Sequence, residues 1–258
     1  MILYRFIELF DVDPLSALIF MTALVTALVL GISFHEFSHA FIADTLGDRL
    51  PRRMGRVTLN PLAHLEPLGT FLMFTVGIGW GRPVPVNPYN TRNPKFALGA
   101  TAAAGPLSNF VVAAIAGLPL KLDLVPWISP LFSGCNFDPD CVLFVNDAFR
   151  ESPAAGGFTR EEQLGVYLTS IVLFSLMLGV FNLIPIAPLD GFKVAVGFLP
   201  GGLSEQFAQL ERYGPMVLIT LLVLPFLTGT FILFIIMEPV IKAFAWLFAG
   251  VSGQDVFV

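Results

Sequence analysis

Two histidines and a glutamate lie close together in the segment His35-Glu36-Phe37-Ser38-His39. Residues four apart share one face of a helix, so both imidazoles can bind the same zinc ion. The glutamate between them can then act as a general base toward a water molecule. Such patterns also occur by chance, but this chain contains only three histidines. The segment is therefore the strongest candidate for a catalytic site.

The candidate site stands at the end of an apolar run, residues 15–34, that is long enough to cross a bilayer. Of the 258 residues, 55% are hydrophobic and 13% are charged, and the mean hydropathy is +0.79. In soluble proteins, roughly a quarter of the residues are charged. The composition therefore predicts an integral membrane protein, in which ionisable residues at membrane depth usually have a function.

Apolar runs of about 20 residues predict four membrane-spanning helices, at residues 15–43, 96–120, 164–184 and 215–236. Shorter apolar segments lie at residues 68–79, 194–199 and 239–251. The first two fit re-entrant or half-helical segments, and the last fits a short span or an interfacial helix. We therefore expect an α-helical polytopic membrane protein. Its bundle would have about four to six transmembrane helices with a short re-entrant or β-hairpin element.

Positive charges mark the region between the first and second spans. They are Arg49, Arg52, Arg53, Arg56, Arg82, Arg92 and Lys95. By the positive-inside rule this region is cytoplasmic, which places the N-terminus outside and the candidate site toward the cytoplasmic side of the cell membrane. The same residues would attract anionic lipid of the bilayer. Topology alone explains the charges, so we expect no nucleic-acid partner.

The acidic segment 121–162 would lie outside, and it contains the two cysteines of the chain, Cys135 and Cys141. In an oxidising compartment they could close a small disulfide loop, and two unpaired thiols are the alternative. We find no internal repeat and no appended soluble domain. The chain is therefore expected to form one membrane-embedded domain, 1–258, with a catalytic core at about 15–200 and C-terminal helices at about 203–251.

A catalytic zinc site usually has three protein ligands and one open position, so the two histidines leave one ligand to be found. His64, Glu66 and Asp190 carry suitable side chains. Asp190 follows directly after the third predicted span, which returns it to the membrane face where the histidines lie. Depth in the membrane therefore favours Asp190 over the other two.

Asp190 also belongs to a motif, Asn-Leu-Ile-Pro-Ile-Ala-Pro-Leu-Asp-Gly, at residues 182–191. Together with His-Glu-x-x-His it resembles the site-2 protease family of intramembrane zinc metalloproteases, which combines the two motifs on separate helices. Residues 59–69, 79–87 and 104–109 are similar to the compact bacterial branch of that family. The resemblance covers roughly residues 15–200 and includes no PDZ or nucleotide-sensing module.

The resemblance implies that His35, His39 and Asp190 bind Zn2+ and that Glu36 activates the attacking water. It further suggests that Asn182 binds the substrate backbone or the developing oxyanion. The alternative for Asn182 is a cap at the end of its helix. The family also implies substrates that are single-span membrane proteins.

Two further polar residues each have two interpretations. Asn109 is a candidate substrate-binding residue, or it joins two helices by a hydrogen bond, aided by the small residues Gly105 and Ser108. His64 either approaches the metal or, as we favour, braces its loop behind the ligands. We therefore leave His64 out of the direct zinc ligands.

The stretch 80–87 has the features of an extended substrate-binding strand. Pro83 and Pro85 lack N–H groups on one edge, whereas Val84 and Val86 keep theirs on the other. A substrate held in extended form can add to that free edge as another strand. The alternative is a hairpin that only shields the site.

These features predict a zinc-dependent intramembrane endopeptidase that cuts single-span membrane proteins, or their remnants, near the cytoplasmic face. One alternative is a membrane-anchored zinc protease for soluble unfolded chains, with Glu66 as the third ligand. A zinc transporter or metallochaperone is another, and it would need further acidic or histidine sites between the spans. The sequence carries no signal for the oligomeric state.

Overall fold

The computed structural model describes residue 10, residues 14–75, 79–128 and 158–251, and residue 256. Five segments within these ranges are long and apolar enough to cross a membrane, which confirms the α-helical polytopic fold. The helices are, in chain order, α1 Pro14–Leu46, α2 Leu50–Arg53, α3 Pro67–Thr75, α4 Pro94–Lys121, α5 Arg160–Asn182, α6 Asp190–Phe198, α7 Gly201–Ala208, α8 Gly214–Thr228 and α9 Ile232–Ala249. Short 3-10 turns lie at Pro61–Ala63, Pro88–Asn90 and Gln209–Tyr213. Cys135 and Cys141 lie outside the described residues.

The first three predicted spans are confirmed as α1, α4 and α5. The fourth, residues 215–236, is wrong as one helix. Gly229 adopts a left-handed conformation with φ +69° and ends α8, after which α9 begins. The predicted short segment 239–251 therefore largely belongs to α9, which is itself a candidate span. Hydropathy missed this break because glycine reverses the chain without lowering the apolar character of the run.

The bundle is built on α1, α4 and α5, which contact one another, and α9 packs across α4 and α5. Small side chains such as Ala113 and Ala245 belong to the same buried cluster as Leu173, Leu176 and Ile241. Small residues allow helix backbones to approach closely, which is the usual source of packing energy between helices in lipid. The core thereby holds α1 and α4 in the positions from which the candidate site is built.

The short helix α6 is attached to the beginning of α4. The Lys95 ammonium donates to the Leu199 carbonyl at 2.5 Å, and the rings of Phe96 and Phe198 make an edge contact. A Cβ at Gly197 would collide with the α4 backbone, so this glycine permits the close approach. These contacts orient the helix that begins with Asp190.

The expected β-hairpin amounts, within the described residues, to one antiparallel bridge between Leu65 and Gly81. Residues 82–87 continue from this bridge without helix or strand assignment. Helix α3 packs closely on this region, because a Cβ at Gly69 would collide with the Trp80 backbone. The element is therefore an irregular segment held against α1 and α3, without a paired sheet.

Candidate metal centre

His35 and His39 lie one turn apart on α1, and both are buried, with 5% and 8% of their surface exposed. The Nε2 atom of each lies 3.1 Å from Asp190 Oδ2. The ligand atoms of the three residues all lie within 4.8 Å of one another. The fold therefore brings together side chains from α1 and α6.

A main-chain group on α4 orients the second histidine. The Nδ1 atom of His39 lies 2.7 Å from the carbonyl oxygen of Thr101. A carbonyl can only accept a hydrogen bond, so Nδ1 carries the proton and Nε2 of the neutral ring presents its lone pair to Asp190. Two electron-pair donors at that distance repel each other unless a cation lies between them. The donor set and its orientation therefore fit a bound Zn2+.

Gly105 on α4 makes room for both imidazoles. A Cβ on this residue would collide with the His39 ring and stand 2.7 Å from Cε1 of His35. The sequence predicted only a helix-packing role for Gly105, and the contact of this residue with the histidines was not predicted. The contact between Thr101 and His39 was not predicted either. The available signal for Gly105 was a glycine directly before a proline inside a predicted span.

The Leu-Asp-Gly order at the start of α6 has a steric reason. A Cβ at Gly191 would collide with the Leu183 carbonyl at the end of α5, so only glycine fits beside it. The turn is closed by a hydrogen bond from the Leu189 amide to the Ile186 carbonyl at 2.9 Å. Asp190 is therefore placed at the first turn of a helix, where the helix dipole favours a carboxylate.

Glu36 lies between the two histidines in sequence and is partly exposed. Its carboxylate accepts no hydrogen bond from any residue that the structure describes. A Cβ built on Gly81 would stand 3.3 Å from Glu36 Oε1 and 2.9 Å from Cγ2 of Ile32. The antiparallel bridge at Gly81 therefore lies directly against the candidate general base.

The two other candidate ligands lie outside the three-residue group. His64 is fully buried and donates from Nε2 to the Thr58 carbonyl at 2.8 Å. Glu66 accepts from the Gly69 amide at 2.6 Å and thus caps the beginning of α3. This placement matches the loop-bracing interpretation of His64 and leaves Asp190 as the third member of the group.

The two asparagines both bond to helix carbonyls. Asn109 is fully buried. In the amide orientation that satisfies both of its polar atoms, Nδ2 donates to the carbonyls of Gly105 and Gly31 at 3.3 Å and so joins α4 to α1. Asn182 donates from Nδ2 to the Leu178 carbonyl of its own helix at 3.0 Å. Both geometries correspond to the structural alternatives, and substrate binding by these residues stays a prediction.

The extended segment is attached at its two ends. The Arg82 amide donates to the His64 carbonyl at 2.6 Å, and the Asn87 amide donates to Asp48 Oδ2 at 2.7 Å. Between them, the N–H groups of Val84 and Val86 have no hydrogen-bond acceptor among the described residues. Two donors on one segment are thus available beside the candidate site.

Comparisons with known proteins find a family model and several relatives that match most of the chain. The model of peptidase family M50 matches residues 23–224. A protein of Bacillus subtilis (strain 168) named "Putative zinc metalloprotease YwhC" is 30% identical over 239 residues, 91% of this chain and 95% of that protein. Proteins named "Putative zinc metalloprotease Rip2" from Mycolicibacterium smegmatis and Mycobacterium tuberculosis are 26% and 25% identical, each over 85% of this chain and 74% of the relative. No solved structure matches the chain.

We expect Asp190→Ala and Gly105→Ala to lower zinc affinity by roughly tenfold or more, whereas Glu66→Ala and Gly31→Ala retain zinc. The first change removes a ligand, and the second pushes a methyl group into both imidazoles. A methyl at Gly31 meets only side-chain atoms of α5. Metal content of the purified variants, measured by plasma mass spectrometry, checks this. Zinc lost from Glu66→Ala and kept in Asp190→Ala would make Glu66 the third ligand.

Proposed function

The chain belongs to peptidase family M50, the site-2 protease family, and we propose that it cuts single-span membrane proteins, or their remnants, within the membrane. It is a metalloendopeptidase and a multi-pass membrane protein. The observation that most strongly supports the proposed substrate is the position of the candidate site on α1, a helix that is itself long enough to span the bilayer. A peptidase that carries its site there meets membrane-embedded chains first.

His35, His39 and Asp190 would hold Zn2+, and three protein ligands are the usual number at a catalytic zinc site. When bound there, zinc polarises the scissile carbonyl and lowers the pKa of a water molecule. Thr101 holds the His39 ring through Nδ1, and Gly105 keeps the space beside both rings free. The protein thereby orients its ligands before substrate arrives.

Glu36 is the proposed general base. Its carboxylate takes the proton of the attacking water and returns it to the leaving amine, which is the step that a partly exposed carboxylate without a competing partner can perform. A water molecule can reach it because the side chain is not fully enclosed. The bond to be cut must then lie beside Gly81, which flanks Glu36.

The free donors of Val84 and Val86 are proposed to hold the substrate. A peptide bond inside a helix is shielded by its own hydrogen bonds, so the cut segment must be extended, and an extended segment can pair with these N–H groups. We keep Asn182 as a candidate for the oxyanion, although it would have to exchange its bond to Leu178. Asn109 is enclosed by α1 and α4, and we assign it to helix packing.

The two alternative functions find less support. A protease with Glu66 as ligand would have to release the cap of α3. A zinc transporter would need a succession of ligand groups across the membrane. Within the described ranges, the one group of three or more potential ligands is the set at His35, His39 and Asp190.

We further propose that the active site faces the cytoplasm of the cell and that the N-terminus lies outside. The exposed guanidinium of Arg53 stands just beyond the end of α1, and further basic residues follow before α4. Positive residues in short loops favour the cytoplasmic side. Such an orientation places the metal centre near the inner membrane face.

Glu36→Gln should lower cleavage of a single-span substrate by roughly 10²–10⁴-fold, because the amide cannot take up a proton. Zinc content should remain that of the unmodified protein, since Glu36 is not a ligand. Glu66→Gln, which removes a charge from the same region, serves as the control and should retain activity. The assay follows product by gel and mass spectrometry in the presence and absence of a chelator. Loss of zinc from Glu36→Gln would contradict the assigned role.

Val84→Pro should reduce activity on membrane substrates several-fold, because one main-chain donor is removed and such a hydrogen bond contributes about 1 kcal/mol. Val84→Ala keeps the N–H group and should retain most activity. Zinc content and thermal stability in detergent should be unchanged in both variants. Undiminished turnover of Val84→Pro would mean that the segment shields the site without binding substrate.

Thiol labelling in intact cells tests the orientation. After reduction, a reagent that cannot cross membranes should label Cys135 or Cys141 from outside. In a variant with both replaced by serine, a cysteine introduced by Arg53→Cys should react only after the membrane is permeabilised. The reverse labelling pattern would place the active site on the outer face.

A further inference from the structure

Arg56 is a buried arginine that contacts the residues following Gly81 and has no role in the chemistry described above. It is 5% exposed, and it follows α2 in the loop that leads to His64. Its guanidinium donates from Nη1 to the carbonyls of Ala63 and, at 3.3 Å, Arg82, and from Nη2 to the carbonyl of Pro83 at 3.3 Å. Arg56 thus connects the loop before α3 to the beginning of the extended segment.

The acceptors of Arg56 are unusual for a buried cation. Buried charges are normally paired with an opposite charge, yet no carboxylate of the described residues lies within ion-pair distance of this guanidinium. Burial and the nearby charge of Arg82 lower the pKa of Arg56, and the opposite charge of Glu36 partly offsets this. An arginine stays protonated under such conditions, and its planar fork can bind several carbonyl oxygens together.

A buried carboxylate holds the far end of the segment. Asp48 is fully buried and accepts from the Asn87 amide at 2.7 Å through Oδ2, and from the Asn90 side-chain amide at 2.7 Å through Oδ1. Arg56 therefore binds carbonyls at the beginning of the segment, and Asp48 binds a donor at its end. The N–H groups of Val84 and Val86 remain unused between these two attachments.

We propose that Arg56 is a positioning residue that fixes the register of residues 81–87 over Glu36 and so determines which bond of an added substrate strand is cut. This inference rests on the proposed function. A strand advances by about 3.3 Å per residue, so a slip of one residue would place a different bond beside Glu36, which Gly81 flanks. A shift by one residue would also turn the free donors to the opposite edge. Small movements of the segment therefore change the bond that is presented to the base.

Arg53 offers a matched control because it is exposed and ends α2, three residues before Arg56. Arg53→Gln removes the same charge without disturbing the carbonyl contacts of Arg56. Arg56→Lys keeps the positive charge but replaces the planar fork by a single ammonium. Comparison of Arg56→Gln, Arg56→Lys and Arg53→Gln therefore separates the geometry of the guanidinium from its charge.

Amide hydrogen exchange tests the attachment without requiring cleavage. In the unmodified protein, the amides of Arg82 and Asn87 should be protected, and those of Val84 and Val86 should exchange fast. Arg56→Gln should accelerate exchange at Arg82 by about tenfold or more, and Arg53→Gln should leave it unchanged. Equal protection of Arg82 in both variants would overturn the proposal.

Cleavage-site mapping by mass spectrometry tests the consequence on a single-span substrate. Arg56→Gln and Arg56→Lys should both lower kcat/KM by about tenfold and spread the cuts over neighbouring bonds, with zinc content unchanged. Arg53→Gln should cut at one bond with unchanged kcat/KM. A single cut at the original bond with full kcat/KM in Arg56→Gln would overturn the proposal, and full recovery in Arg56→Lys would do so as well.

Two further results distinguish a failure of the inference about Arg56 from a failure of the proposed function or of folding. If the unmodified protein cuts no single-span substrate, the proposed function fails, and the exchange at Arg82 still decides whether Arg56 holds the segment. If Arg56→Gln does not fold, Asp48→Asn loosens the other end and should spread the cuts in the same way. A sharp single cut by a folded Asp48→Asn enzyme whose Asn87 amide has lost its protection would then overturn the proposal.

Discussion

The structure depends on holding two imidazoles and one carboxylate together inside an apolar bundle. The Nε2 atom of each imidazole lies 3.1 Å from the same carboxylate oxygen. A polar or charged group buried without a partner costs several kcal/mol, roughly 2–7 for an amide or hydroxyl and more for a charge. Other polar atoms therefore have to orient the group, and a cation shared by its three members would stabilise it. Because the group lies near the end of α1, it limits which residues α4 and α6 can carry where they approach it.

Close backbone approach is the means by which three helices converge on this group. Gly105 leaves the space that the two rings occupy, Gly191 lets the turn before α6 fold onto the end of α5, and Gly197 brings α6 onto α4. At each of these positions, a Cβ would collide with an atom of a neighbouring segment. Small residues are common at helix contacts in lipid for packing reasons, but Gly105 is additionally required by the two imidazole rings beside it.

The loops on the side of the bundle that carries the candidate site hold the extended segment in place. Arg56, His64 and Asp48 are all buried and use their polar atoms chiefly on main-chain groups of the segments around them. They hold an irregular segment beside Glu36 without a sheet to support it. Helices α1 and α6 thus supply the three candidate ligands in a fixed geometry. The loops supply an extended chain with free donors.

Much of the fold and of the candidate site could be predicted from the sequence, because these features depend on local patterns. Helical spacing places His35 and His39 on one face, and apolar length predicts α1, α4 and α5. A second motif, through its resemblance to a known family, predicted Asp190 as the third metal ligand. These properties depend on neighbouring residues along the chain, so they can be seen before the chain is folded.

The tertiary structure decided the remainder. Thr101 is 62 residues from His39, and the carbonyls of Arg82 and Pro83 are 26 and 27 residues from Arg56, so no local pattern links them. The break at Gly229 was missed because glycine can continue a helix or end it, and neither its type nor the hydropathy around it tells which. The conformation of such a residue, and the partner of a buried polar group, are set by which segments meet in space.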